Sequence, residues 1–371
     1  MVDPAPTEGL LAELEAPASA PRQMPAFVTD LSGRRLTVRF ESALNRHGSY
    51  LVRRQNVMLF GSNNLVTPSG QWSCEARTHK RQFLHYFHQD FYERDFPGAR
   101  PRIGQIRDSL RLLTEHLTAT DITYLDEPIF LATPLEPPIW GRWITAVLPK
   151  IRHYLAQGAA QAFFCHVEHN WQRAFLQFHG VPAAKILAHD PGRTYICRDV
   201  TTVEFSETNF ALSAAERAHT LGLADRFRGK IPSPPNIYVA RLARSAKNPH
   251  YRVLRNEAEL AVALQKLGFA VIEPEFMSFA AQIALFAGAK NLVCLGGSAI
   301  FNAAFCAAGT KIIDIESSDT YTRDHARFFA SAGLECGVVF GAEDLDSPSP
   351  AHKNWTVDVS KVVGIVKRFM S

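Results

Sequence analysis

The sequence predicts an α/β protein with parallel strands and crossover helices, entered through a β-rich segment, and three observations carry that prediction. In the C-terminal half, short apolar strands at residues 237–240, 269–272, 291–294 and 311–315 recur at a spacing of about 20–30 residues, most leading into a capped helix, as in a Rossmann-like half. Between residues 121 and 210 strands and helices alternate, which implies parallel pairing with crossovers. From residue 26 to about 76 the pattern is strand-like, with turn signals at Gly33 and Gly70.

The 371 residues suggest about two domains. With 46% hydrophobic and 20% charged residues, and 22 each of Gly and Pro, the chain can bury an ordinary core and is neither collagen-like, coiled-coil nor globally disordered. A formal charge of +4 is too mild to announce a nucleic-acid partner and suits a small anionic ligand. The six cysteines form no CxxC pair and several sit in apolar runs, so a reducing compartment is expected. No basic and apolar leader opens the sequence and no window reaches 18 apolar residues. The expected location is the cytoplasm, with a peripheral contact at the inner membrane left open.

Residues 1–22, rich in Ala, Pro and Glu, are expected to form a disordered arm. Residues 23–226 form the expected N-terminal domain. Within it, residues 36–40 and 56–60 read as strands, and residues 77–102 interleave Arg and Lys with aromatics. Such a stretch suits an anionic or lipid-linked acceptor, but half-buried helical packing explains it better. His85 and His88 lack a third ligand at a metal spacing. Further elements are a strand at 122–125, a helix at about 144–156, a strand at 162–165, a helix at about 171–179 and a strand at 185–187. The proline-rich run 227–236 marks a boundary. Residues 230–345 form the second domain, with Asn256 and Ser278 as helix N-caps, Gly268 and Gly288 as helix stops, and a last strand at 337–340. The basic amphipathic helix near 356–371 is expected to pack back on the N-terminal domain.

Ligands of open parallel sheets bind beyond the carboxyl ends of the strands. There Gly296, Gly297 and Ser298 let the backbone approach an anion and open a helix, although a plain βα turn has the same composition. Arg241, Arg244, Arg252 and Arg255 place four guanidinium groups near one rim, suited to phosphate oxygens unless they form an ordinary solvated loop. Glu316 either accepts from sugar hydroxyls or caps the next helix. No Asp-x-Asp pair calls for a metal, and no cofactor is expected. An oxidoreductase is disfavoured because GxGxxG is absent.

The segments IYVAR (237–241), RVLRNE (252–257), LGFAVIEP (267–274), SFAAQIALF (278–286), GSAIFNAAF (297–305) and GTKIID (309–314) together resemble the catalytic domain of glycosyltransferase family 61. Upstream, GRW (141–143) with LPK (148–150), and WQRAFL (171–176) with GVP (180–182), are similar to the family's "HW…LPR" and "fqrefL…lGvp" segments. The resemblance spans roughly residues 120–316. It implies a GT-B-like architecture of two Rossmann-like domains facing a cleft, and inverting transfer from a nucleotide-sugar, commonly UDP-linked. The implied acceptor is a glycan or lipid-linked glycan, in bacterial capsule or exopolysaccharide synthesis. By position Arg241, Arg252, Asn256, Glu257, Gln282, Gly297, Ser298 and Asn302 fall on the family pattern, which implies donor binding by Arg241, Arg252, Gly297, Ser298 and Asn302, with Glu257 and Gln282 mainly structural.

Two departures stand out. Arg142 replaces the His that often precedes Trp143, and Gly296 replaces the His of the eukaryotic "HGAG" loop. Arg142 and Trp143 are therefore candidates for the acceptor side of the cleft, and Glu168, His166 and Asp190 for the base that inversion requires. The two absent histidines also motivate an alternative, a non-catalytic nucleotide-sugar or glycan-binding subunit of the same fold.

Overall fold

A computed structural model describes residues 9–16, 18–33, 38, 40–46, 48–68, 72–73, 122–205, 210–318, 321–346 and 353–370. The basic-aromatic stretch 77–102, with His85 and His88, and most of the expected strand at 36–40 lie outside the described residues. The chain divides into two compact units, one of residues 1–18 and 46–209, the other of residues 19–45 and 210–371.

The first unit is built on one mixed sheet. Ile186–Ala188, Ala162–Cys165, Ile129–Leu131 and Thr194–Glu204 are parallel neighbours, as the strand-helix alternation predicts. The β-rich start joins this sheet: Ser49–Phe60 pairs antiparallel with Thr194–Glu204 and so extends it. Their shared face buries Val57, Leu59, Ile129, Leu131, Phe164 and Cys197. The arm expected to stay outside the fold supplies a strand as well, Leu10–Glu15, antiparallel to Ser49–Phe60. Its Leu and Glu alternation gives it little to bury, and pairing of its backbone groups with a long neighbour holds it.

The helix expected at 144–156 begins at Trp140 and contains a π turn, Trp143–Val147, between α-helical segments Trp140–Arg142 and Leu148–Ala156. Pro149 explains the widening, since it has no N–H to donate and its ring would strike the carbonyl four residues earlier.

The second unit carries an all-parallel sheet in the order Ala270–Ile272, Asn236–Val239, Asn291–Leu295, Lys311–Glu316, Glu335–Phe340 and Phe27–Asp30. Numbered along the chain from residue 236, its five consecutive strands lie in the order 2-1-3-4-5, the flavodoxin-like doubly wound arrangement. The sixth strand, Phe27–Asp30, comes from a segment expected to belong to the other domain.

Strand alternation divides the side chains between two covered faces. Tyr238, Val293, Leu295, Ile313, Ile315 and Val339 share one core with Leu260 and Leu264 of the helix Glu257–Gln265 and with Val362, Ile365 and Val366 of the helix Val359–Met370. The C-terminal helix packs on the sheet of its own unit, where its apolar stripe completes the core above Ile313 and Ile315. Ser278 caps Phe279–Gly288, accepting from the Ala281 N–H. Asn256 makes no side-chain cap; its amide instead donates to the Val357 carbonyl at 2.8 Å and accepts from the Val357 N–H at 3.2 Å. Among the described residues no helix is long and apolar enough to cross a membrane.

Candidate functional site

In a 2-1-3-4-5 sheet the order reverses between strands 1 and 3, here Asn236–Val239 and Asn291–Leu295, and ligands of such sheets bind beyond the carboxyl ends of the strands at this switch point. The loops there carry Arg241 and the pair Gly296–Gly297. The Arg241 Nη1 donates to the Gly296 carbonyl at 2.9 Å, and the guanidinium lies over Gly297, where an added Cβ would stand 3.6 Å from Cζ. The backbone is clamped too. Glu257, buried in the first turn of its helix, accepts from the Arg241 N–H at 2.5 Å and, more weakly, from the hydroxyls of Tyr238 and Ser245.

Arg252 is held from both ends. Asn354 accepts from the Val253 N–H and donates to the Pro249 carbonyl, while Trp355 exchanges backbone bonds with Val253 and Arg255. Between these ties Arg252 takes a φ of 55°, a left-handed conformation that is uncommon and costly away from glycine. Its Nη2 reaches both oxygens of Glu316, at 2.8 and 2.6 Å, and its guanidinium lies 4.9 Å from the Tyr321 ring centre.

Asp314 and Glu316, two residues apart on one strand, project to the same face. His325, from the helix Thr322–Ser331, places Nδ1 2.9 Å from Asp314 Oδ2 and 3.2 Å from Glu316 Oε1. All three are at most 5% exposed. Burial opposes charge on each, but the partners decide: Arg252 and His325 hold Glu316 down at about 2, and the two carboxylates raise His325 to about 10. Burial pushes Asp314 above the ordinary carboxylate value. Arg241 differs. Burial and then the charges of Arg252 and Arg244 lower it to about 10, so its cation is under-neutralised yet present at neutral pH.

These values fix a pH dependence of stability. Glu316, depressed from 4.5, contributes stability present above pH 4.5 and lost as pH falls towards 2. His325, raised from 6.5, contributes stability present below pH 6.5 and lost as pH rises towards 10. In the first unit His189 is fully buried and lowered by burial to about 3, so its contribution is present above pH 6.5 and lost on acidification. The expected melting temperature peaks near pH 6.5 and falls by about 5–10 °C between pH 6.5 and 10. A flat melting profile over that alkaline range would remove His325 as a buried cation.

The structure thus brings together Arg241, Arg252, Gly296, Gly297 and Glu316, and it revises several expected roles. Glu316 is bonded to Arg252 and His325 and is 1% exposed, so it fixes an arginine and does not meet sugar hydroxyls. Asn302 is fully buried and donates to Gln282 at 3.2 Å, bracing two packed segments. Gly297 and Ser298 open a 3-10 helix, Ser298–Phe305, rather than an α-helix, which weakens the expected dipole and leaves Arg241 as the main positive group. Ser298 is half-buried beside it. Arg244 is exposed on the short helix Leu242–Lys247, and Arg255 pairs with Asp344 at 3.0 Å.

The N-terminal candidates separate likewise. Arg142 is 3% exposed and paired with Glu136 at 2.6 Å, and Trp143 is fully buried against Trp171 and Phe175 with its Nε1 donating to the Pro137 carbonyl. Both build the core under the π turn and do not line an open surface. Asp190 accepts from the Gly192 N–H in an exposed turn, which is sufficient reason for its place. His166 and Glu168 do approach one another, Nε2 to Oε2 at 3.3 Å, beyond the carboxyl end of Ala162–Cys165. His166 Nδ1 faces the His189 carbonyl at 3.0 Å, and Thr133 bridges its backbone N–H to His189.

Sequence reasoning missed Asp314 and His325. The available signal was an Asp inside the apolar run of Lys311–Glu316, since a buried charge requires a partner. The described cysteines, all buried, are structural; burial pushes Cys197, Cys306 and Cys336 up to about 12. Asp314, Glu316 and His325 each offer one ligand atom within 4.8 Å of the others, but Nδ1 already serves both carboxylates and Arg252 takes Glu316, so a divalent ion would have to displace both cations.

Residues 140–313 match the family model described as Glycosyltransferase 61, a stretch just under half of the chain. The match spans the π-turn helix of the first unit and the switch-point loops of the second, and it supports a glycosyltransferase activity with a sugar donor and a glycan acceptor. The mixed α/β architecture with parallel strands fits such an enzyme. No curated protein matches the chain.

Proposed function

We propose that this chain transfers a sugar, with inversion and without a metal ion, from a nucleoside diphosphate sugar to a hydroxyl of a glycan. The observation that carries the reading is Arg241, an under-neutralised guanidinium over the glycine turn of the switch point. Among the described residues one of its five N–H donors is engaged, by Gly296, which leaves others for a diphosphate. In the reaction the acceptor oxygen bonds to the anomeric carbon as the bond from that carbon to the diphosphate oxygen breaks. The electron pair leaves with the diphosphate, where Arg241 and the Gly297–Ser298 backbone stabilise the growing charge. The hydroxyl proton passes to a base, for which His166 and Glu168 are the candidates and Asp190 the weaker one. Metal independence is supported by the carboxylates of Asp314 and Glu316 already having His325 and Arg252 as counter-charges. A UDP-linked donor, a two-domain GT-B arrangement and work on cell-surface polysaccharide at the cytoplasmic face of a membrane complete the proposal.

One observation favours the binding-subunit reading: Glu257 and Glu316, the carboxylates beside Arg241 among the described residues, are both committed to partners. A panel of UDP-, GDP- and CMP-sugars, incubated with oligosaccharide acceptors in the presence of chelator and monitored for free nucleotide, separates the two. Acceptor-dependent nucleotide release is the expected result. Donor binding without release for any acceptor would make the protein a binding subunit.

A further inference from the structure

Two carboxylates side by side on a buried strand repel each other, and the chain resolves this with one imidazole. Asp314 Oδ2 bonds His325 Nδ1, while Asp314 Oδ1 is buried with no hydrogen-bond partner. Among the described residues the Asp314 side chain therefore has one hydrogen-bonding task, to hold His325. Leaving a buried oxygen unmet is costly, and such a cost persists where something else depends on the arrangement. The His325 ring is packed edge-on against Phe301 at 5.7 Å, which fixes its plane. Its Nδ1 then fixes Glu316 from one side, Arg252 grips both Glu316 oxygens from the other, and the same carboxylate presses on Gly296 of the switch-point turn.

We propose that His325, anchored on Asp314, is a positioning residue of the donor site: it holds the Glu316 carboxylate in place so that Arg252 and the Gly296 turn keep the geometry that receives a diphosphate. This rests on the donor reading above and extends it to two residues with no access to the ligand. Among the described residues the Arg252 guanidinium donates hydrogen bonds to Glu316 and otherwise rests on the Tyr321 ring, and its left-handed backbone makes relaxation away from Glu316 favourable once the carboxylate can turn.

The test uses the full chain with inorganic pyrophosphate and UDP as calorimetric probes, with and without chelator, on wild type, His325→Gln, His325→Lys and Arg252→Gln. Stability of His325→Gln, Arg252→Gln and their double variant is measured by denaturant unfolding. The expected result is that His325→Gln weakens probe binding about tenfold, raises the donor KM far more than it lowers kcat, and couples non-additively with Arg252→Gln in unfolding. His325→Lys, which restores a cation between the carboxylates, recovers most of the affinity. Additive unfolding effects would overturn the inference, and so would unchanged probe affinity in a folded His325→Gln protein. Chelator-sensitive wild-type binding would replace it with a metal at the same three residues. Failure of wild type to bind either probe overturns the donor reading and this inference together, and that row alone identifies the cause.

Discussion

Arg241→Ala loses sugar transfer by about a hundredfold or more, the usual cost of removing a donor aimed at developing charge, and stays folded. Both halves follow from the same environment. Among the described residues the guanidinium makes one hydrogen bond, to Gly296, and burial beside Arg252 and Arg244 disfavours its charge. The folded protein without ligand therefore gains little from it. The backbone clamp by Glu257 uses the residue 241 N–H, which alanine keeps. A melting temperature within about 4 °C of wild type is expected, since 1 kcal/mol corresponds to roughly 2–4 °C in a chain of this kind. Arg241→Lys keeps the charge but not the planar fork and recovers only part of the rate. Steady-state transfer and a melting curve on the same preparation decide it. Wild-type turnover in Arg241→Ala would sink the assignment of the diphosphate to this turn.

Gly296→Ala damages the fold itself. A Cβ at 296 would stand 1.8 Å from Glu316 Oε1 and 2.1 Å from its carboxyl carbon, far inside any contact distance. A free carboxylate would swing aside, but Arg252 and His325 hold this one. The cost combines overpacking, about 1–3 kcal/mol, with partial rupture of a buried ion pair, about 3–5 kcal/mol when a partner is lost. A fall in melting temperature of roughly 10 °C is expected, with donor binding lost in whatever remains folded. The same substitution elsewhere has the opposite sign. Gly222 lies inside the helix Ala214–Phe227 with open space around its Cβ position, so Gly222→Ala stabilises by about 0.5–1 kcal/mol through backbone entropy. Equal melting curves for the two variants would mean that Glu316 is not fixed against the turn.

The glycine at 296 has a physical reason in this contact. Any side chain there would occupy the volume of the Glu316 carboxylate, which Arg252 and His325 hold beneath the turn.

The sequence by itself determined the elements whose signals are local. The parallel strands of the second half, the Ser278 cap and the Arg241 and Gly296 loops are legible because burial on both faces writes a continuous apolar run and a cap writes a single polar residue at its edge. Only the tertiary structure decided the rest, because it depends on pairs far apart in sequence. Phe27–Asp30 joins the sheet beside Glu335–Phe340, and the C-terminal helix chooses its own unit's core; neither partner is encoded near the segment that finds it. Arg142 and Trp143 look like surface recognition residues in sequence, yet Glu136, Pro137 and Trp171 bury them. Asp314 and His325 become a pair through a helix returning over its strand, and a charge shows its counter-charge only once both are out of water.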